Sequence, residues 1–187
     1  MPTIITHAAV PLALGLGLGL GRRAASARLV AAGVLASMAP DIDVLGFHWH
    51  VAYADTFGHR GASHSLMFAL LLGVFAMSAA KYLQANRLSA FLFVSASAAS
   101  HGLLDMLTNG GLGVAFLWPF TDRRLFFPWR TIEVAPFGLH VFSDPRGLAV
   151  LWSELRCVWL PAAVCATLLH VVRRQFSQGG QRAAAIE

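Results

Sequence analysis

Apolar residues along this chain come in long runs, and the polar residues between them are few and grouped. The first run, residues 4–20, predicts a helix. The second, 29–39, is short and stops at Pro40. It predicts a half-depth or tilted segment, since a full span takes about 20 residues. A polar stretch rich in His and Asp follows over 41–63, and Ser63 is placed to cap a third helix over 64–83. Lys81, Asn86 and Arg87 mark a short turn. A fourth helix over 89–107 ends at Asn109-Gly110-Gly111, a strong stop signal. Residues 112–146, with prolines at 119, 128, 136 and 145, read as a long loop. The last apolar helix covers 147–172, with Pro161 expected to kink it, and 173–187 form a polar tail. No repeat or boundary divides the chain, so 1–187 is read as one domain whose motifs fall within 1–130.

Composition decides the environment of these helices. The chain is 57% hydrophobic and only 12% charged, with mean hydropathy +0.63. Soluble domains carry about 25% charged residues, so this allotment cannot clothe a soluble surface. A disordered chain would be poor in apolar residues and rich in charge. Few runs alternate with period two, which disfavours sheets. The fold class is therefore all-α: a polytopic integral membrane bundle of about four to five membrane-embedded helices. The first run has no basic residue before it, so it reads as a retained helix rather than a signal peptide. The net charge of +5 forms no basic stripe, so no nucleic-acid partner is expected. Cys157 and Cys165 are eight apart in one helix, about 12 Å along the axis. That exceeds disulfide reach, and they read as packing residues. Glycines at 15, 17, 19 and 21 suggest close helix packing. No strand precedes them and no Lys-Ser/Thr follows, so they are not a phosphate loop.

The charges are sorted. Arg22, Arg23, Arg28, Lys81, Arg87, Arg173, Arg174 and Arg182 cap one set of helix ends. The positive-inside rule makes that side cytoplasmic, together with the C-terminus. The opposite side then holds eight of nine acids, all but Glu187, and seven of eight histidines, all but His170. Trp49, Trp118, Trp129 and Trp152 fall there too, as an interfacial belt would. The expected location is the bacterial inner membrane, crossed several times, with the polar cluster on the non-cytoplasmic face and the lipid bilayer as partner.

That cluster has the composition of a metal site. His101 and Asp105 are one helical turn apart and share a face. Asp41-Ile42-Asp43 follows Pro40; in an extended turn both carboxylates would point the same way and could bridge two ions. His59-Arg60-Gly61-Ala62-Ser63-His64-Ser65 brings two imidazoles around a glycine turn, and His7 lies in the first helix. Each alone has a structural reading: a hydrogen-bonded His strut, a turn Asp, a local His–Asp bond. Together on one face they predict a shared centre built from His7, Asp41, Asp43, His59, His64, His101 and Asp105. Imidazole and carboxylate without thiolate suit Zn²⁺, with Mn²⁺ or Fe²⁺ as alternatives, in one or two copies. Coordination would also offset the cost of charge near hydrocarbon, about 2.5–3.5 kcal/mol each on insertion scales. His48-Trp49-His50 read as interfacial anchors, His140 and His170 as structural, and Arg123 and Arg124 as headgroup-level residues. Arg60 is the candidate to hold a substrate anion.

Thr6-His7, Pro40-Asp41-Ile42-Asp43, His59-Arg60-Gly61 through His64-Ser65, and His101-x3-Asp105 followed by Asn109-Gly110-Gly111 resemble the bacterial YdjM-like family. Those are inner-membrane proteins regarded as metal-dependent hydrolases. The likeness covers residues 3 to about 130, and the last helix adds nothing diagnostic. A more distant likeness is to zinc-dependent phospholipase C and related single-strand nucleases. They order an early His, a bridging Asp, a His and a His-x3-Asp pair in the same way. That resemblance implies that His7, Asp41 or Asp43, His59 or His64, His101 and Asp105 are ligands. The later His-x3-Glu set of those enzymes is missing, which implies one or two ions rather than three.

These readings lead to a membrane-bound metal-dependent hydrolase acting on an ester or phosphoester of a lipid or lipid-linked molecule. Asp41 or Asp43 would bridge ions or act as base. The alternatives are an ion-binding membrane protein or transporter, or a structural metal-binding protein. Transport sites lie near the midplane on broken helices; clustering at helix ends favours the enzyme.

Overall fold

The computed structural model describes residues 1–20, 25–135 and 146–184, with side chains as far as 176. Arg22, Arg23, Gly21, His140, Pro136, Pro145, Glu187 and the Arg182 side chain lie outside the described residues. Among the described residues the chain is all helical apart from isolated bridges.

Helix α1 occupies Ile4–Leu18 and is interrupted at Ala8. Pro11 explains the break. It lacks the N–H that would bond the carbonyl of His7, and its ring crowds that carbonyl. Helix α2 is α-helical over Ala27–Met38, capped by the Ser26 hydroxyl on Leu29 N–H. It continues without a gap as a 3₁₀ helix, Ala39–Trp49. The expected short segment is thus the first half of a 23-residue apolar element, Ala27–Trp49. Pro40 tightens the helix rather than ending it.

A 3₁₀ turn, Ala62–His64, leads into α3, Leu66–Ser78. The cap of α3 is Ser65, whose side chain accepts from Phe68 N–H, and not Ser63. Ser63 donates instead to Asp43. Helix α4 spans Arg87–Met106, capped by Asn86. Helix α5 starts with Gly147–Glu154, passes through a π-helical turn, Leu155–Trp159, and resumes as Leu160–Ala184, so it carries on through polar residues after 172. The π turn sits where Pro161 withdraws its N–H from the carbonyl of Cys157.

Helix α4 is the centre of the bundle, packed between α2 and α3. Leu29 and Val30 on α2, Ala69 and Ala76 on α3, and Phe93, Val94 and Ala98 on α4 form the main core. Helix α5 packs chiefly on α1, where a Cβ on Gly17 would stand 2.8 Å from Leu169. Among the described residues three elements are long and apolar enough to cross a membrane: Ala27–Trp49, Arg87–Met106 and Gly147–Phe176. Only 6% of the most apolar stretch of Gly147–Phe176 is buried in the protein. Water would not tolerate so much bare apolar surface on one helix, whereas hydrocarbon would.

The helix ends sort as the charges do. The Ser26 hydroxyl reaches the carbonyl of Leu83, Arg28 donates to that of Tyr82, and the Arg173 guanidinium lies beside Gly19. These basic ends share one side of the bundle. His7, Asp41, His64, His101 and Asp105 meet on the other.

Candidate metal centre

Two local features bring the site together. Asp41 and Asp43 lie on a 3₁₀ helix, not an extended turn. At three residues per turn, positions two apart point in different directions. The two carboxylates therefore reach opposite nitrogens of one imidazole: Asp43 Oδ2 is 3.1 Å from His64 Nδ1, and Asp41 Oδ1 is 3.6 Å from His64 Nε2. The second feature is Gly102. A Cβ there would stand 2.6 Å from the carbonyl oxygen of His64. Only glycine beside His101 lets the 62–64 turn settle against α4.

Hydrogen bonds then set the tautomers. His101 Nδ1 lies 2.7 Å from the Ser37 carbonyl, which can only accept, so Nδ1 carries the proton and Nε2 presents a lone pair. His64 Nδ1 faces the Asp43 carboxylate in the same way. The two Nε2 atoms meet at 3.0 Å with nothing but acceptors around them: Asp41 Oδ1 at 3.4 Å from His101 Nε2, and Asp105 Oδ2 at 3.4 Å from His64 Nε2. A proton or a cation must lie among them. Without an ion, His64 takes the proton. Its burial pushes the pKa down, but hydrogen bonds to Asp105, Asp41 and Asp43 outweigh that and raise it to about 10.

The donor set fits a metal. Asp41, His64, His101 and Asp105 are all buried and offer atoms within 4.8 Å of one another. Five of their six separations run from 3.0 to 3.9 Å. Donors bonded to a tetrahedral zinc at about 2.0–2.2 Å stand roughly 3.3–3.6 Å apart. The oxygens of Asp41, Oδ1 of Asp105 and both nitrogens of His7 are buried without a well-aligned hydrogen bond, while Asp105 Oδ2 pairs with Arg60. Such orphans are costly unless a cation answers them. This buried His/Asp group could hold a metal ion.

His7 approaches from the other side of the carboxylates. Its Nε2 is 4.0 Å from Asp41 Oδ2 and 3.9 Å from Asp105 Oδ1, and its ring stacks on His101 at 3.6 Å. Asp43, His59 and His64 form a second group. Asp43 is held by His59 Nδ1 at 2.7 Å, Ser63 Oγ at 2.6 Å and Arg60 N at 3.2 Å.

Arg60 is fully buried. Its Nε lies 3.0 Å from Asp105 Oδ2, while Nη1 donates to the Gly110 carbonyl and Nη2 to Thr108 Oγ1. Its backbone has φ of 64°, a strained conformation for a non-glycine residue. Gly111, at φ of 85°, is needed both for its backbone and because a Cβ would stand 2.8 Å from Arg60 Nη1. The Asn109-Gly110-Gly111 stop thus also seats the arginine.

His48, Trp49 and His50 are exposed and outside the cluster, and His170 lies near Arg173 on α5. Arg124 braces the 53–59 loop through the carbonyls of His59, Tyr53 and Asp55. Sequence reasoning passed over Glu154. This buried carboxylate on α5 accepts from Thr3 and Thr6 and fastens the start of α1 just before His7. A lone acid inside an apolar helix was the signal.

Comparison with known proteins adds the lineage. The sequence model of the YdjM inner membrane protein family matches residues 1–178. The chain belongs to the YdjM inner membrane protein family. The match extends beyond residue 130 and takes in most of α5. A relative in this family, the inner membrane protein YbcI of Escherichia coli (strain K12), is 46% identical over 175 residues, covering 93% of this chain and 100% of YbcI. No solved structure matches. Membership places the chain among bacterial inner-membrane proteins, with the bilayer as its surroundings.

Proposed function

We propose that the protein is a membrane-bound metal-dependent hydrolase, with one divalent ion held by Asp41 Oδ1, His64 Nε2, His101 Nε2 and Asp105 Oδ2. The observation that carries this is the convergence of two imidazole lone pairs and two carboxylates within 4.8 Å of one another, five of their six separations lying between 3.0 and 3.9 Å. Charge supports the count. Three aspartates and one arginine leave two negative charges, which one divalent ion neutralises while the histidines stay neutral. Zinc is the metal this donor set suits best.

Such an ion, when bound, acidifies water and polarises a phosphoryl or carbonyl oxygen. The side chains divide the remaining work. Asp43, already holding donors from His59, Ser63, Arg60 and His64, orients His64 through Nδ1. Arg60 keeps Asp105 charged and fixed, so its positive charge reaches a substrate anion only as part of that pair. Asp41 faces Nε2 of both His64 and His101 and would hold the ion between them. A second reading has its own support: the second oxygens of Asp41 and Asp105 both face His7 Nε2, and these three residues would hold a second ion. The substrate follows from the setting: an ester or phosphoester of a lipid or lipid-linked molecule. The site faces the non-cytoplasmic side if the basic helix ends face the cytoplasm.

Metal analysis of the purified protein tests this, alongside a screen of phosphoester and carboxylic ester lipids. The expected result is one equivalent of metal, its loss in Asp41→Ala, and metal-dependent turnover. Absence of metal from protein purified without chelator and then offered zinc overturns the proposal. Stoichiometric metal without turnover on any ester moves the assignment to an ion-binding or structural role.

A further inference from the structure

We propose that the groove between α1, α4 and α5 is the binding site for the hydrocarbon chain of the substrate lipid, which sets the scissile head group against the metal centre. The groove encloses about 320 Å³. At about 30 Å³ per water-sized group, that is room for roughly ten methylenes. Its walls include Val10 and Leu14 on α1, Leu104 on α4, and Val158, Pro161 and Ala162 on α5. They carry no charged side chain, so a polar ligand has nothing to bond.

Three further observations identify the occupant. First, the groove is bounded by α5, the most outward-facing of the three long apolar spans. It therefore opens where a bilayer would supply chains and no water. Second, its wall is continuous with the centre. Leu104 directly precedes Asp105, and Val10 is three residues after His7. Leu104 and Val158 on that wall pack with Ala9, two residues from His7, in one buried cluster. A chain lying in the groove therefore runs along the helices that carry His7 and Asp105. Third, the groove lies against the irregular part of α5. Cys157 and Val158 on its wall belong to the π turn, and Pro161 follows it. The two cysteines, 157 and 165, both line the groove, which places them at the chain rather than in closed packing.

This inference relies on the hydrolase reading for the head group, but its test does not. The probe is dodecyl phosphate carrying a diazirine near the chain end, added to zinc-loaded protein in nanodiscs and photolysed. Peptide mapping should find the label on residues 10–14 and 157–169, competed by excess unlabelled dodecyl phosphate. Ala162→Trp or Ala13→Trp should each lower that labelling about tenfold or more, as filling an apolar pocket does. Label spread evenly over the outward faces of α2, α3 and α5 overturns the proposal, as does label in the groove that no competitor displaces. Competed groove labelling that is unchanged by chelator, with no hydrolysis, sinks the hydrolase reading and leaves the groove assignment standing. Metal-dependent turnover of a short-chain phosphoester with label elsewhere does the reverse.

Discussion

His64 is the residue on which the chemistry turns, because its two nitrogens face different partners. Nδ1 is committed to Asp43, and Nε2 is left to whatever positive charge occupies the centre. The first prediction follows from that division. Asp43→Asn should keep one equivalent of metal but weaken affinity by about 10–100-fold, the usual effect of removing a partner behind a ligand. Asp41→Asn should abolish stoichiometric binding. Equal losses in the two, measured by competition with a chromophoric chelator, would make Asp43 a direct ligand. The second prediction concerns pH. In metal-free protein the His64 pKa is raised above its ordinary 6.5 to about 10. A raised folded-state pKa stabilises fully below the unfolded value and loses that contribution as pH rises through the folded one. Metal-free protein should therefore lose thermal stability between about pH 7 and 10, whereas loaded protein, with His64 neutral as a ligand, should not. A flat metal-free profile over that range in detergent would show that His64 does not carry the proton.

At the scale of elements, three prolines shape the site by what they withdraw. Pro11 opens α1 at Ala8, next to His7; Pro40 opens the 3₁₀ helix that splays Asp41 from Asp43; Pro161 follows the π turn of α5. The 29–39 run does not end where hydrophobicity alone suggests, since the chain continues as a 3₁₀ helix. Gly102 performs the complementary task of admitting the 62–64 turn. Gly102→Val should cost about 1–3 kcal/mol, as overpacking does. It should also lower metal occupancy, because the backbone carbonyl of His64 has to move. Thermal denaturation and metal content read on the same preparation check it; full occupancy with unchanged stability would mean that the turn can be displaced without opening the centre.

At the scale of the whole molecule, the buried acids and histidines gather at one end of the bundle with Arg60, and a separate set of basic residues marks the other. Arg28, the Lys81–Arg87 turn and Arg173 lie at one end, and the aspartates and histidines meet at the other. A C-terminal reporter should therefore read as cytoplasmic in bacteria. A periplasmic reading would turn the centre toward the cytoplasm and change the compartment from which water and products exchange. Glu154 belongs to this scale too. It ties α5 to the first residues of α1 by hydrogen bonds from Thr3 and Thr6, so the peripheral helix helps seat His7.

Hydrophobic runs, low charge and its sorting were enough to read an all-helical membrane bundle from the sequence, because hydrocarbon demands long apolar helices and punishes stray charge. The same sorting brought out His7, Asp41, Asp43, His59, His64, His101 and Asp105 as a group, since polar residues at helix ends are visible against an apolar background. What sequence could not settle was how those residues divide. Spacing suggested that Asp41 and Asp43 act together, but the 3₁₀ geometry sends them to opposite nitrogens of His64. Arg60 looked available to an anion, yet its guanidinium is engaged by Asp105, Thr108 and Gly110, residues about fifty positions away. The role of Glu154 and the groove under α5 depend on which helices touch. Those are consequences of packing between distant segments, and local pattern carries no information about which distant face a side chain will meet.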